Sequence, residues 1–171
     1  IRLDKDDALK SALLVEKGDD VLLGSNNGQS IRFKESDIRE MGRSAGGVRA
    51  ISLGKGDSVV SVDAIRKEDN DGSFLVMSEN GLGKKTSIKE YKVQKRGGSG
   101  VLTAKITPKT GKLIIGKIVK SEGEGEMVAI SKKGQVIRVE LSAIPSLGRQ
   151  TQGVTVMKLR AGDTIASLTI L

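Results

Sequence analysis

A spacing of 53 residues runs through the chain and constrains its fold more than any other feature. Three hairpin-like stretches carry glycine at Gly28, Gly81 and Gly134, each 53 residues from the next. The same spacing relates Arg43, Arg96 and Arg149; Gly47-Val48, Gly100-Val101 and Gly153-Val154; Arg32, Lys85 and Arg138; and Ile38, Tyr91 and Ile144. Because residues of such different types share one period, the sequence predicts one structural unit that occurs three times.

Each unit contains a pattern of four short strands. In the first unit, apolar or alternating stretches cover residues 21–23, 29–33, 47–53 and 58–65. Asn27-Gly28 predicts a two-residue turn of type I′ between the first two strands, since that turn needs positive φ at both central residues. The equivalent segments of the other two units extend over residues 74–119 and 127–171.

Four strands in about 50 residues is typical of a propeller blade. One sheet of this size cannot bury both of its faces, so neighbouring sheets must stack around an axis. We therefore predict an all-β, propeller-like fold with blades at 21–73, 74–126 and 127–171, separated by polar stretches at 67–73 and 121–126. Residues 3–9 resemble residues 53–59. Residues 1–20 are accordingly predicted to be the tail of a preceding blade plus a linker, and the chain a partial ring of about three blades from a longer array.

The composition favours a polyanionic partner and excludes several kinds of site. Lys and Arg number 29 against 21 Asp and Glu, which gives a net charge of +8 and a pI near 9.7. Such a balance favours nucleic acid, while an aromatic content of 2% argues against a platform that stacks single-stranded bases. The chain has no Cys and no His, which excludes disulfides, Cys/His metal sites and imidazole catalysis. We expect no cofactor, no metal and no membrane partner, because nucleotide-binding loops and bilayer-length apolar runs are also missing from the sequence.

A basic slot on the second strand of each unit is the first candidate DNA contact. Arg32 lies between Ile31 and Phe33, and successive side chains of a strand face opposite ways. Arg32 and its equivalents Lys85 and Arg138 are therefore predicted to face outward and to contact phosphates. The alternative is ordinary solvation of an exposed strand.

The glycine-rich loop of each unit is the second candidate. Arg43, Arg96 and Arg149 lie in these loops, where an arginine and nearby backbone amides could both donate to a phosphate. The alternative is that the repeated glycines Gly47, Gly100 and Gly153 serve a bend at the start of a strand.

Positive charge is concentrated in the second and third units. Residues 74–126 carry eleven basic and five acidic residues, net +6, and residues 127–171 carry six and two, net +4. Residues 1–20 and 21–73 have net charges of −2 and zero. DNA is therefore predicted to bind most strongly over the last two units, although a solvated loop without a partner stays an alternative. The remaining candidate contacts are Lys34, Arg49, Lys84, Lys89, Lys92 and Lys95.

Several local sequences resemble the C-terminal domain of the DNA gyrase A subunit. They are Gly42-Arg43-Ser44-Ala45-Gly46-Gly47-Val48-Arg49, Gly148-Arg149-Gln150-Thr151-Gln152-Gly153-Val154, Phe33-Lys34-Glu35-Ser36 and Gly83-Lys84-Lys85-Thr86. The resemblance covers residues 3–171 and corresponds to the last three of about six blades. It implies a β-pinwheel, a propeller in which neighbouring blades exchange a strand. The related topoisomerase IV A subunit shares this architecture and is an alternative parent.

The resemblance also implies a function. It predicts an accessory, non-catalytic domain that wraps duplex DNA around its rim and supports negative supercoiling by an ATP-dependent type II topoisomerase, an isomerase. The implied partners, in the bacterial cytoplasm at the nucleoid, are duplex DNA, the gyrase B subunit and the rest of the gyrase A subunit. That compartment is reducing, and a chain without cysteine is compatible with it. A propeller that binds an acidic protein is the alternative function.

One loop of the middle unit resembles the heptapeptide that is the hallmark of the family. It consists of Gln94, Lys95, Arg96, Gly97, Gly98, Ser99 and Gly100, with Ser99 where the family usually has a basic residue. The family's functional copy lies in the first blade, so the loop found here is interpreted as box-like and not as the copy essential for wrapping.

Two further interpretations concern residues outside the basic set. Tyr91 is the only tyrosine, but its equivalents are Ile38 and Ile144, so its slot requires an apolar side chain and we predict no catalytic role. Asp6 and Asp7 are interpreted as solvating loop carboxylates. Changing Lys95 and Arg96 to Ala is therefore predicted to weaken binding to unrelated DNA sequences alike, and changing Asp6 and Asp7 is not.

Overall fold

A computed structural model describes residues 1–5, 7–69, 71–120 and 124–171. Asp6, Asn70 and residues 121–123, which include parts of the two predicted linkers, lie outside the described residues. The strands are β1 Asp20–Ser25, β2 Gln29–Lys34, β3 Val59–Ile65, β4 Ser73–Ser78, β5 Leu82–Ser87, β6 Val101–Leu102, β7 Leu113–Val119, β8 Glu126–Ser131, β9 Val136–Glu140, β10 Val154–Thr155 and β11 Ile165–Ile170. Short 3-10 turns occupy Glu35–Asp37, Lys67–Asp69, Ile88–Glu90 and Leu141–Ala143. The predicted all-β class is confirmed.

Each unit begins with the predicted hairpin, but its turn is wider than expected. Gly24 pairs with Ser30, which leaves three residues between Ser25 and Gln29, and Gly28 has a φ of 85°. A three-residue connection with glycine in the left-handed region is a common hairpin loop. Asp57 stabilises this turn, because its carboxylate accepts from the Ser25 hydroxyl at 2.8 Å and from the Asn27 amide at 3.0 Å.

The fourth strand of each complete sheet comes from the following unit. β6 pairs with β2 through Ser30 and Val101, and β10 pairs with β5 through Gly83 and Val154. The resulting orders are β3-β1-β2-β6 and β10-β5-β4-β7, and the third sheet has the order β11-β8-β9 among the described residues. The strand exchange that the resemblance implied is therefore present in the structure.

The third strand predicted at residues 47–53 is wrong for the first unit. No described residue of this segment belongs to a strand. Its equivalents β6 and β10 are two residues long, and each pairs with the sheet of the unit before it. The sequence pattern located the segment but assigned it to the sheet of its own unit. In the structure such a segment pairs with the sheet of the preceding unit, and no sheet precedes the first unit among the described residues.

The sheets stack face to face through two apolar clusters. Phe74 and Val76 of β4 pack toward the first sheet, and Leu75 and Met77 of the same strand pack toward the third. This alternation is the two-residue period expected of a strand that is covered on both faces. β3, β7 and β11 pack side by side and form the inner edge of the sheets. β2 and β5, with their exchanged strands and the glycine-rich loops, form the opposite side, which we call the outer edge.

Candidate nucleic-acid interface

Arg32 and Lys85, in the basic slot, join neighbouring units. The Arg32 guanidinium lies 2.6 Å from the Asp20 carboxylate and donates to the carbonyls of Ile88 and Tyr91, at 3.3 Å each, in the next unit. The Lys85 ammonium donates to the carbonyl of Leu141, the equivalent of Ile88, at 2.6 Å. We call these contacts the forward clamp. The prediction that the slot faces outward is wrong for Arg32 and Lys85, because the next unit covers that face of the sheet.

Arg138, the third member of the slot, is exposed. Its side chain is 66% accessible and pairs with Glu126, with Nε 2.6 Å from the Glu126 carboxylate. This hydrogen bond and the accompanying charge attraction raise the pKa of Arg138 above its usual value. Arg138 is exposed because no unit covers this face of the third sheet among the described residues.

Lys84 is enclosed by the glycine-rich loop of the next unit. Its ammonium donates to the carbonyls of Gly148 and Arg149 at 2.6 and 2.7 Å, and to the Thr151 hydroxyl at 3.1 Å. Burial lowers the pKa of Lys84 to about 8; the nearby Arg149 lowers it further, whereas Glu90 opposes the change. Only 1% of Lys84 is accessible, so the folded domain leaves no room for the phosphate contact predicted for it. Burial also lowers the pKa of Lys85.

The loop arginines Arg96 and Arg149 contact the unit before them. Arg96 donates to the carbonyls of Asp37 and Arg49, at 2.8 and 2.9 Å. Arg149 donates to the carbonyl of Leu102 at 3.2 Å, and Leu102 is the equivalent of Arg49. We call these contacts the backward clamp. The guanidinium groups of Arg96 and Arg149 therefore bind at the junctions between units, whereas Arg43 in the first unit is exposed.

The box-like loop, residues 94–100, is part of the first junction. The Gln94 and Gly97 amides donate to the carbonyls of Arg32 and Ala50, at 2.8 and 2.6 Å. Gly100 has a φ of 74°, and a Cβ at this position would collide with the Ser30 carbonyl oxygen. The glycines of this slot therefore serve the bend that precedes the exchanged strand, which was the alternative interpretation. Lys95, Gly98 and Ser99 remain accessible on the outside of the loop.

A set of cations stays accessible along the outer edge. Its members are Lys34, Arg43, Arg49, Lys89, Lys92 and Lys95. Lys89 lies 2.6 Å from Asp71, and this hydrogen bond lowers the pKa of Asp71. Both side chains are more than 70% accessible, so the pair contributes little to stability. Within the described part of the chain, no ion pair engages the other five.

Tyr91 is a packing residue. It is 2% accessible, its ring meets Phe74 edge-on at 5.8 Å, and its hydroxyl shares a hydrogen bond of 2.5 Å with Thr103. Burial raises the pKa of Tyr91 to about 12, although the hydrogen bonds to Thr103 and Thr86 oppose this shift. The interpretation of its slot as an apolar one is confirmed for Tyr91 and Ile144, which are buried, whereas Ile38 is 39% exposed. Among the described residues, no three carboxylates lie close enough together to hold a metal ion.

Two residues that position the hairpins were missed by the sequence reasoning. Asp163 accepts from the Ser131 hydroxyl at 2.6 Å and from the Lys133 and Thr164 amides, as Asp57 does in the first unit. Burial opposes ionisation of Asp163, but these hydrogen bonds hold its pKa below the usual value. Asp57 and Asp163 keep step with the repeat, which was the available signal; Thr110 occupies the slot between them.

Stacked sheets that exchange an outer strand define the class of the molecule, a β-pinwheel. The chain belongs to the DNA gyrase C-terminal domain family, since the model of that family, described as a β-propeller, matches residues 19–66, 72–120 and 125–171. Within the described residues, no helix has the length and apolar character needed to cross a bilayer.

Known proteins agree with this assignment. The chain is 38% identical to the DNA gyrase A subunit of Staphylococcus epidermidis over 168 residues, which is 98% of the chain and 18% of that protein. It is 41% identical to the DNA gyrase A subunit of Mycolicibacterium smegmatis over 170 residues, 98% of the chain and 20% of that protein. The chain thus spans about a fifth of the length of these relatives.

Solved structures show the same fold. A DNA gyrase A C-terminal domain superposes with a TM-score of 0.90 at 28% identity, covering 99% of this chain and 56% of that one. The C-terminal domain of a DNA topoisomerase IV superposes with a TM-score of 0.91 at 21% identity, covering 99% and 52%. The second similarity establishes the shared fold alone.

Proposed function

We propose that this chain binds duplex DNA along its outer edge and bends it, as a non-catalytic domain of a DNA gyrase A subunit. The observation that carries the proposal is the set of accessible outer-edge cations, of which Lys89 alone has an ion-pair partner in the described part of the chain. Lys34 and Arg49 of the first unit and Lys92 and Lys95 of the second lie on segments that meet at one junction. A cationic edge that continues across a junction suits a polyanion longer than one repeat.

Duplex DNA fits this edge better than a single strand does. Single strands are held by bases stacked on aromatic rings, and Phe33, Phe74 and Tyr91 are all buried. Lysine and arginine that neutralise phosphates release counterions and bind with little regard to sequence. Bending a site of about 20 to 30 base pairs costs on the order of 1 to 6 kcal/mol, which several such contacts can offset.

The function of the parent protein follows as part of this proposal. The relatives are bacterial gyrase A subunits. We infer that the domain works beside the gyrase B subunit, together with the rest of the gyrase A subunit, in an ATP-dependent topoisomerase of the bacterial cytoplasm and nucleoid. Its contribution there is to wrap DNA so that strand passage introduces negative supercoils.

The test measures DNA affinity across a range of salt concentrations, together with a bending assay on end-labelled duplexes. An outer-edge variant combines Arg49→Gln, Lys92→Gln and Lys95→Gln. Removal of each phosphate contact should reduce the slope of log K against log salt by about 0.9, equally for unrelated sequences. Lys117→Gln, an exposed lysine on the inner edge, is the matched control and should bind as the wild type does.

Arg96 and Lys95 are tested separately because the structure gives them different surroundings. Lys95→Ala should lower the salt slope, whereas Arg96→Ala should lower stability by about 1 to 3 kcal/mol, since it removes the backward clamp. Binding that does not depend on salt, or no binding at all, would refute the proposal. Partners that survive nuclease treatment in a pulldown would favour a protein-binding propeller instead.

A further inference from the structure

The two ends of the sheets differ in structure. At one end of the first sheet, Asp20 pairs with Lys34 and the chain continues into the 3-10 turn Glu35–Asp37. At the other end lies the hairpin turn, beside the loop that precedes β3, because Ser25 pairs with Val59. The other two units repeat this arrangement. We call these the 3-10 end and the turn end.

The turn end of the second and third units carries a group of exposed cations that lies outside the outer-edge set. In the second unit they are Lys105, Lys109 and Lys112, and in the third they are Lys132, Lys133, Lys158 and Arg160. Lys105 and Lys158 occupy equivalent positions, three residues after Leu102 and Thr155. Those two residues end the exchanged strands β6 and β10, so the turn-end cations are continuous with the outer edge.

Hydrogen bonds gather Lys132, Lys133 and Arg160 of the third unit around one hairpin. The Lys133 ammonium donates to the Ala161 carbonyl at 2.9 Å, and the Lys132 amide donates to the Thr164 carbonyl at 2.8 Å. The Arg160 amide donates to the Gln135 side chain at 2.9 Å. In the second unit, the Lys112 ammonium similarly reaches the Gly56 carbonyl, at 3.3 Å.

Few carboxylates oppose these charges. Within the described ranges, no ion pair involves any of the seven cations. Asp163 is 6% accessible, and its oxygens accept from Ser131, Lys133 and Thr164 of its own unit. Glu79 is the other carboxylate in the turn-end loops of these two units.

The 3-10 end is much richer in carboxylates. Those exposed at this end, where they accompany cations such as Lys34, Lys89 and Lys120, are Asp37, Glu40, Glu68, Asp71, Glu90, Glu124 and Glu140. An uneven distribution of charge between the two ends produces a field that favours a polyanion at the end with fewer carboxylates. A single surface cation is ordinarily only solvated. A cluster of cations at one end of the sheets attracts a polyanion to that end.

We propose that the turn end of the second and third units is a second phosphate-binding surface, over which a duplex held at the outer edge continues. This inference rests on the proposed function. The cations are spread over two units instead of enclosing a pocket, which suits a long, regular polyanion, and they begin where the exchanged strands end. Beyond the outer-edge cations, which include Lys34 and Lys89 at the 3-10 end, the duplex therefore continues over the side of the hairpin turns.

The absence of cysteine from the sequence allows a direct test by site-specific cross-linking. Ala161→Cys places one thiol at the turn end, and Ser142→Cys places one at the 3-10 end; both residues are exposed. Each variant is labelled with a photoactivatable aryl azide and mixed with a duplex of about four helical turns. Ala161→Cys should cross-link to the duplex at least several-fold more efficiently than Ser142→Cys. Equal yields, or a higher yield at Ser142→Cys, would overturn the inference.

A second measurement separates this inference from the proposed function. A turn-end variant combining Lys132→Gln, Lys133→Gln and Lys158→Gln should reduce the salt slope by about 0.9 for each phosphate contact that it removes. If the outer-edge variant binds more weakly and this one binds as the wild type does, the inference is wrong and the proposed function stands. If the wild type does not bind a duplex, the proposed function is wrong, and this inference, which rests on it, is wrong too. If polyglutamate binds the turn end as tightly as the duplex does, the inference that duplex DNA is the ligand of this surface is wrong.

Discussion

Replacing Lys84 by methionine removes a charge that is enclosed between two repeats and keeps a side chain of similar length. In the wild type, the ammonium donates to Gly148, Arg149 and Thr151, all in the loop of the following unit. At a single pH, the effect of the substitution combines the loss of these hydrogen bonds with relief from burying a charge. The dependence of that effect on pH isolates the buried charge.

The magnitude follows from the pKa. A change from 10.5 to about 8 favours the neutral amine in the folded state, and each pKa unit corresponds to about 1.4 kcal/mol. Converting the whole pKa shift to free energy gives about 3 kcal/mol, which relaxation of the loop and entry of water reduce to about 1 to 2 kcal/mol. Because the folded-state pKa of Lys84 is the lower one, the unfolded chain binds more protons between pH 8 and 10.5. The free energy of unfolding of the wild type therefore rises with pH across this window, relative to the variant.

Urea unfolding followed by far-ultraviolet circular dichroism measures this difference. The free energy of unfolding of the wild type minus that of Lys84→Met should increase by about 1 to 2 kcal/mol between about pH 7.5 and about pH 10.5. Lys117→Met, at an exposed lysine, is the matched control for the change of residue type. A difference that stays level over this range, or that falls as pH rises, would refute the reasoning about Lys84.

Three further predictions concern the backbone, a carboxylate and the tyrosine. Gly100→Ala should cost about 1 to 3 kcal/mol of stability in urea unfolding, because of its positive φ and the collision with a carbonyl; Gly148→Ala, with open space around it, should cost much less. Asp163 has a lowered pKa, so its carboxylate stabilises the fold above about pH 4 and loses that effect as pH falls. The stability gap between the wild type and Asp163→Asn should accordingly narrow in acid, and a widening gap would contradict it. Tyr91→Phe should cost about 1 kcal/mol in the same assay and leave DNA cleavage by the intact parent enzyme unchanged.

Local features of this chain could be predicted from its sequence. The hairpins centred on Gly28, Gly81 and Gly134 are present because each depends on a few neighbouring residues. The apolar slot of Tyr91 was recognisable because the repeat supplies two isoleucines for comparison. The hydrogen bonds by which Asp57 and Asp163 hold two of these turns were not recognisable, since both residues are distant in sequence from the hairpins.

The direction of a side chain was predictable, but its surroundings were not. Arg32 does point away from the face of Ile31 and Phe33, as strand alternation requires. That direction leads to the next unit and not to solvent, because a stacked sheet is covered on both faces. Lys84 and Lys85 are consecutive and both buried, because the stacked next unit covers Lys85 and the glycine-rich loop of that unit covers Lys84. In stacked repeats, a regular period of basic residues therefore marks junctions as readily as it marks a binding surface.

The assignment of strands to sheets required more than the sequence pattern. Ser30 and Val101 pair although a whole repeat separates them, and no local propensity distinguishes that pairing from one within the unit. The exchange of a strand between neighbouring units was predicted from the family resemblance alone. The exposed cations of the outer edge follow from it, because the exchanged strand and its loop place Lys92 and Lys95 beside the unit before them.

Because each complete sheet takes its outer strand from the next repeat, a sheet is completed during synthesis only after part of the following repeat has been made. The ribosome adds about 5 to 20 residues per second from the N-terminus, so the β2 edge of the first sheet stays open until Val101 has emerged. An open edge can pair with the wrong strand in the meantime. A nascent chain that stalls after residue 120 leaves β5 without β10, and the repeat that looks finished in the sequence is still one strand short.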